Sequence, residues 1–180
     1  RQLGGQRRPH HAGIAKAVLS VSGPGVQAER DAGVATRKAR EANDFLAEHI
    51  ARHPDRYAGF AHVAVQDARA AAQELERCVR ELGFKGAMIN GHTNGLYLDH
   101  TSLAPFWEAA EALGALVYIH PTDPLVPAPV LDGVPALRRA TWEWGFETGS
   151  HALRLVFAGL FDRHPKAKVA LGHMGETLPY

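Results

Sequence analysis

The sequence predicts an α/β fold of parallel strands covered by helices. Three observations predict it. Segments of strand and helix character alternate along the chain as β-α-β-α-β-α-β-loop-α-β, the order that builds parallel sheets through helical crossovers. Several strand segments are continuous apolar runs, as strands buried on both faces are. Two of these runs stop at a histidine: Leu116-Val117-Tyr118-Ile119-His120-Pro121 and Val169-Ala170-Leu171-Gly172-His173-Met174-Gly175-Glu176. Imidazoles at the carboxyl ends of parallel strands are how a barrel gathers chemistry on one face.

Each element has a local reason. Residues 14–21 (IAKAVLSV) read as the first strand, broken by Ser22-Gly23-Pro24-Gly25. A helix follows, strongest from Ala42, with Ala42, Phe45, Leu46, His49 and Ile50 on one face. It ends at His53-Pro54, because the residue before proline is pushed out of the helical region. Residues 57–65 (YAGFAHVAV) form the second strand. Asp67 caps the next helix, whose apolar stripe is Ala71, Leu75, Cys78, Val79 and Leu82. Gly83 closes it, and residues 84–90 (FKGAMIN) form the third strand. After a polar loop, Thr101 or Ser102 caps a helix carrying Leu103, Phe106, Trp107, Ala110 and Leu113, with Pro105 in the tolerated first turn. The fourth strand is Ala115 to His120. Pro121, Pro124, Pro127, Pro129 and Pro135 make the next stretch an ordered excursion or a lid. A last helix places Ala152, Leu153, Val156, Phe157 and Leu160 on its apolar face, and Lys168 to Gly172 is the fifth strand. This order fits an open doubly wound sheet or part of an eight-stranded barrel. The first strand–helix turn lacks a glycine-rich phosphate fingerprint, which disfavours a dinucleotide fold.

Composition narrows the function classes. Of 180 residues, 46% are apolar and 22% charged, ordinary for a globular domain, and the net charge of +1 points to neither nucleic acid nor an anionic membrane. No apolar run approaches the length that spans a bilayer. Arg1, Arg7 and Arg8 read as a solvated terminus, and the adjacent His10 and His11 lack a third ligand nearby. Cys78, the one cysteine, sits on an apolar helix face as a small hydrophobe and fits a reducing, cytoplasmic location. The chain starts at Arg1 and stops at Tyr180 directly after the second histidine motif. It therefore reads as one domain over 1–180, incomplete at both ends.

The strand-end residues are the candidates for chemistry. His120 has the rigid placement a metal ligand needs, although a histidine hydrogen-bonded within the mouth would look the same. His173 lies between glycines that allow close approach of a substrate, and Glu176 is placed to fix its tautomer. An acidic first-turn residue that answers a helix dipole accounts equally for Glu176. Asn90 ends the third strand and His92 follows in its loop, so both can face the same cleft, whereas Asn94-Gly95 is turn chemistry. Trp142, Trp144 and Phe146 can wall an aromatic substrate or pack the core, and Trp142 is taken as the substrate-binding member. His62 reads as a core histidine. His49, His53 and His164 read as surface residues, and His151 as a group at the start of a helix.

The segments GFKGAMING, YLDHTSLAPFWEAAEALGALVYIHP and HALRLVFAGLFDRHPKAKVALGHMGETLPY resemble the amidohydrolase-related (amidohydrolase 2) decarboxylases. That family includes the γ-resorcylate (2,6-dihydroxybenzoate) and aminocarboxymuconate semialdehyde decarboxylases. The likeness covers nearly the whole chain, VLSVSGPGVQ included, and is strongest to the resorcylate branch. It implies a partial (β/α)8 TIM-type barrel in which these are strands two to six. It also implies one divalent metal, zinc first and manganese second. By the same resemblance His120 is the metal ligand, and His173 is the active-site histidine, supported by Glu176. The expected activity is non-oxidative decarboxylation of a hydroxylated aromatic acid by a carboxy-lyase that is a homo-oligomer when full length. Its partner is a small carboxylic acid, not nucleic acid or membrane. Metal-dependent hydrolysis of a lactone or amide is the alternative. The family's Glu-x-His on the first strand and aspartate on the eighth have no counterpart in this sequence. On that ground the isolated chain is expected to bind metal weakly and turn nothing over. The family's strand-end motif often continues His-Pro-Arg-Asn-Pro. Here it reads His120-Pro121-Thr122-Asp123-Pro124, a departure that bears on carboxylate recognition.

Overall fold

A computed structural model of the chain describes residues 13–179. The basic cluster at Arg1, Arg7 and Arg8 and the His10-His11 pair lie outside the described residues. Five strands form: β1 (Ala17–Leu19), β2 (Tyr57–Gly59), β3 (Gly86–Asn90), β4 (Leu116–His120) and β5 (Lys168–Leu171). All their pairings are parallel, and each strand lies beside its neighbour in chain order. β2 and β3 join through the Ala61–Ala87 bridge, where the Ala61 N–H donates to Gly86 O (2.8 Å) and the Met88 N–H donates to Ala61 O (3.0 Å). The order 1-2-3-4-5 decides between the two predicted architectures. A doubly wound sheet reverses direction at a switch point, and a barrel segment does not.

The helices follow their caps. α1 (Ala32–Ala51) begins where Asp31 accepts from the Val34 N–H at 2.7 Å. Its first half packs closely through the fully buried Ala35 and Ala39. α2 (Ala68–Arg80) is capped by Asp67, which accepts from the Arg69 and Ala70 N–H groups. α3 (Ala104–Ala112) carries Pro105 in its first turn and is entered through a 3₁₀ turn, Thr101–Leu103. The cap there is His100, whose Nδ1 accepts from the Ser102 N–H (3.2 Å), rather than Thr101 or Ser102. Between these helices and the strands lies the main core, with Leu75, Phe106, Trp107, Ile89, Val117 and Ile119 fully buried. Cys78 is buried there too, and burial, reinforced by the neighbouring Glu74, pushes its thiol well above the ordinary range. That leaves it a poor nucleophile.

The stretch after β4 is ordered, as its prolines predicted, into 3₁₀ turns at Pro129–Leu131, Pro135–Leu137 and Arg139–Thr141. α4 (Glu143–Phe157) then departs from expectation. Leu153, Val156 and Phe157 lie on its exposed side, and Glu147, Thr148, His151 and Leu155 on its buried side. Hydrogen bonds from a distant loop explain the reversal. Tyr97 Oη donates to Glu147 (2.6 Å), and the Leu98 N–H donates to His151 Nε2 (3.0 Å). Arg154 stacks over the Tyr97 ring while pairing with Asp99. His151 thus sits mid-helix and buried, not at a helix start. Leu160 heads the short helix α5 (Leu160–Arg163). His164 is buried against Glu111 (3.2 Å) rather than on the surface.

His62 and His151 make folding pH-dependent. Burial pushes both imidazoles down to about 4, from an ordinary 6.5. His62 Nε2 accepts from the Val26 N–H (2.8 Å), and its buried Nδ1 has no hydrogen-bond partner, so nothing offsets a charge there. Between pH 6.5 and 4 the unfolded chain binds protons that the folded chain refuses. Stability is therefore full above pH 6.5 and falls as the pH drops toward 4, by roughly 3 kcal/mol for each histidine. Urea unfolding at pH 7 and pH 4.5 checks this, and equal stabilities would contradict it.

Candidate active site

The parallel register assembles the site. Asn90 at the end of β3 pairs with His120 at the end of β4, and Ile119 pairs with Leu171, so His173 lies just past the end of β5. The His120 and His173 rings meet edge to face with centroids 5.2 Å apart. Trp144 closes the triangle, 6.0 Å from His120 and 5.5 Å from His173. Close approach of the two strand ends needs Gly172, where a Cβ would stand 2.9 Å from Pro121 Cδ and 3.1 Å from Ile119 O.

The two imidazoles face different partners. His120 Nδ1 lies 2.8 Å from Pro121 O. A carbonyl only accepts, so Nδ1 holds the proton and Nε2 offers its lone pair. His173 Nδ1 lies 2.9 Å from Glu176 Oε1. That oxygen is buried and makes no well-aligned hydrogen bond, so the carboxylate acts on the ring mainly as a close charge. His173, Met174 and Glu176 all have positive φ, of 46°, 61° and 54°. Non-glycine residues in that region cost energy and gather at functional sites.

A cavity of about 560 Å³, within the range of small-molecule sites, opens beside His120 and Trp144; His173 touches both rings but is not among its lining residues. Ser22-Gly23-Pro24 forms one wall, and His120 to Asp123, Arg139 and Trp144 form the others. Asn90 stands behind the first wall. It is buried, its Nδ2 donates to Gln27 Oε1 (3.3 Å), and its Oδ1 has no partner and faces Gly23. A wider groove lies near the opposite ends of the strands, lined by Glu108, Glu111, Lys166 and Lys168 among others, and holds no strand-end histidine.

Two of the expected substrate contacts are placed differently. His92 Nδ1 accepts from the Gly95 N–H (3.1 Å), so Nε2 carries the proton and donates to Asp123 O (3.1 Å). With both nitrogens used, His92 holds the Asp123 segment in place rather than facing the cavity. Trp142 does not line the cavity and is half exposed. It precedes α4, whereas Trp144, two residues on and about 200° further around a helix, reaches the site. Arg139 and Asp123 are the lining residues that sequence reasoning missed. Asp123 stood in the quoted strand-end motif, but nothing local marks Arg139.

His120 fits as a neutral, rigidly held ligand. No group of three or more histidine, cysteine, aspartate or glutamate side chains suited to a metal occurs among the described residues, and a structural or catalytic zinc takes at least three protein ligands. These residues supply one corner of such a site. No helix among the described residues is long and apolar enough to cross a membrane.

Parallel strands in chain order with histidines at their carboxyl ends fit a segment of a (β/α)8 barrel, and the amidohydrolase family model matches residues 7–179. The chain belongs to that family. It is 49% identical over 175 residues to the γ-resorcylate decarboxylase of a Polaromonas species, covering 93% of this chain and 54% of that protein. It superposes on 2,6-dihydroxybenzoate decarboxylase from Rhizobium with a TM-score of 0.88 and 47% identity, covering 93% of this chain and 54% of that one. A dihydroxybenzoic acid decarboxylase from Polaromonas, solved with manganese and the inhibitor 2-nitroresorcinol, gives a TM-score of 0.85 and 48% identity over 93% and 53% of the two chains. The chain thus spans about half the length of the curated relatives it matches.

Proposed function

We propose that this protein is a metal-dependent, non-oxidative decarboxylase of hydroxylated aromatic acids such as 2,6-dihydroxybenzoate. The observation that carries the reading is the His120–His173–Trp144 triangle at the strand ends, beside a cavity of small-molecule size. The relatives' activity supports it. His120 would hold the metal through Nε2. A bound divalent ion supplies charge neutralisation at the acid's carboxylate and adjacent hydroxyl oxygens. Manganese, which the Polaromonas relative holds, is the ion to try before zinc.

The chain's own groups do the rest. Trp144 offers a flat apolar face on which an aromatic ring stacks. His173 Nε2 lies on the far side of its ring from Glu176, free to move a proton at the substrate. As the ring–carboxyl bond breaks, its electron pair stays on the ring carbon, that carbon takes a proton, and carbon dioxide leaves. The test is release of carbon dioxide with formation of resorcinol from 2,6-dihydroxybenzoate by the full-length protein that carries this chain, supplied with manganese or zinc. Absence of both products with either ion overturns the reading, and a hydrolysed lactone or amide would replace it with the alternative chemistry.

A further inference from the structure

The cavity contains a permanent positive charge that comes from none of the strand ends. Arg139 lines it from the 3₁₀ turn before α4 and is the one arginine or lysine among the described residues that do so. Its backbone has φ of +56°, an uncommon conformation for arginine. Buried Glu143 holds that backbone in place: Oε2 accepts from the Arg139 N–H (3.3 Å), while Oε1 accepts from Arg138 Nη1 (2.6 Å). The side chain is aimed as well. Arg139 Nε contacts Asp123 Oδ2 at 3.2 Å, and Asp123 Oδ1 accepts from Trp144 Nε1 (2.7 Å). One carboxylate therefore orients both the cation and the indole of the same cavity.

This contact occupies a single edge of the guanidinium. Among the described residues no acceptor takes Nη1 and Nη2, and the side chain is largely exposed. A guanidinium with a free fork matches a carboxylate by two parallel hydrogen bonds, which an ammonium cannot do. We infer that Arg139 is the specificity residue of this site, selecting aromatic acids by their carboxylate while Trp144 takes the ring. The assignment rests on the decarboxylase reading for its choice of acid, though not for its geometry. A cation on the substrate's carboxylate acts mainly on the bound acid, because the charge leaves that group as the ring–carboxyl bond breaks, so it sets affinity rather than raising turnover.

Binding to chelator-treated protein tests this directly. Titration calorimetry would compare 2,6-dihydroxybenzoate with resorcinol, which lacks the carboxylate. The unsubstituted protein is expected to prefer the acid, and Arg139→Gln to weaken acid binding by about tenfold or more while leaving resorcinol binding unchanged. Arg139→Lys, which keeps the charge and loses the fork, is expected to fall between. Three outcomes overturn the assignment: no preference in the unsubstituted protein, an unchanged preference in Arg139→Gln, or equal loss of both ligands in the two variants. An arginine-dependent acid preference without carbon dioxide release would sink the decarboxylation reading and leave Arg139's role standing. Carbon dioxide release together with an acid affinity insensitive to Arg139 would do the reverse.

Discussion

In the full-length protein His173→Ala is expected to lower carbon dioxide release from 2,6-dihydroxybenzoate by at least about 100-fold, the scale of losing a positioned general acid or base. His173 is the one strand-end imidazole that faces a carboxylate, with Glu176 Oε1 2.9 Å from its Nδ1. Its side chain is about a third exposed, and among the described residues Glu176 is its one side-chain polar partner, so its removal leaves the core intact. A stability loss is therefore not expected, and urea unfolding of the variant should match that of the parent. Glu176→Gln keeps the shape and removes the charge. It is expected to lose less activity than His173→Ala. Unchanged turnover in His173→Ala would take this residue out of the reaction.

Gly86→Ala is expected to cost at least about 3 kcal/mol, among the larger losses a single substitution causes. Gly86 opens β3 with φ of +153°, and a Cβ there would stand 1.9 Å from the backbone oxygen of Leu116. Backbone in a strand cannot step aside as a side-chain tip can. The clash falls on the first pair of the β3–β4 ladder, which also aligns Asn90 with His120, so stability and site fail together. Gly83→Ala is the control. Its φ is +71°, but a Cβ there meets nothing within 4 Å, so it bears only the left-handed cost of about 1–2 kcal/mol. Equal unfolding midpoints for the two variants would refute the clash.

The sequence revealed most where one residue interrupts a pattern. His120 and His173 end apolar runs, and their convergence followed from parallel strands alone. Asp67 stood at a cap position and caps. Misreadings came where partners lie far away along the chain. The stripe of Leu153, Val156 and Phe157 looked like a buried face by period, yet Tyr97 and Leu98 bind Glu147 and His151 on the other side and turn α4 over. Trp142 and Trp144 differ by two residues, and no side-chain cap marks where α4 starts, so the choice between them had no local basis. Arg139 acquires its role only through Asp123 and Glu143, neither of which advertises an ion pair in a linear reading.

Strand order in this protein matches synthesis order. A newly made strand finds its docking edge already present on the nascent chain, and its crossover helix can cover the seam before the next strand emerges. Assembly can therefore proceed as a zipper from β1 toward β5, with the last closure also drawing the Tyr97–Leu98 segment onto α4.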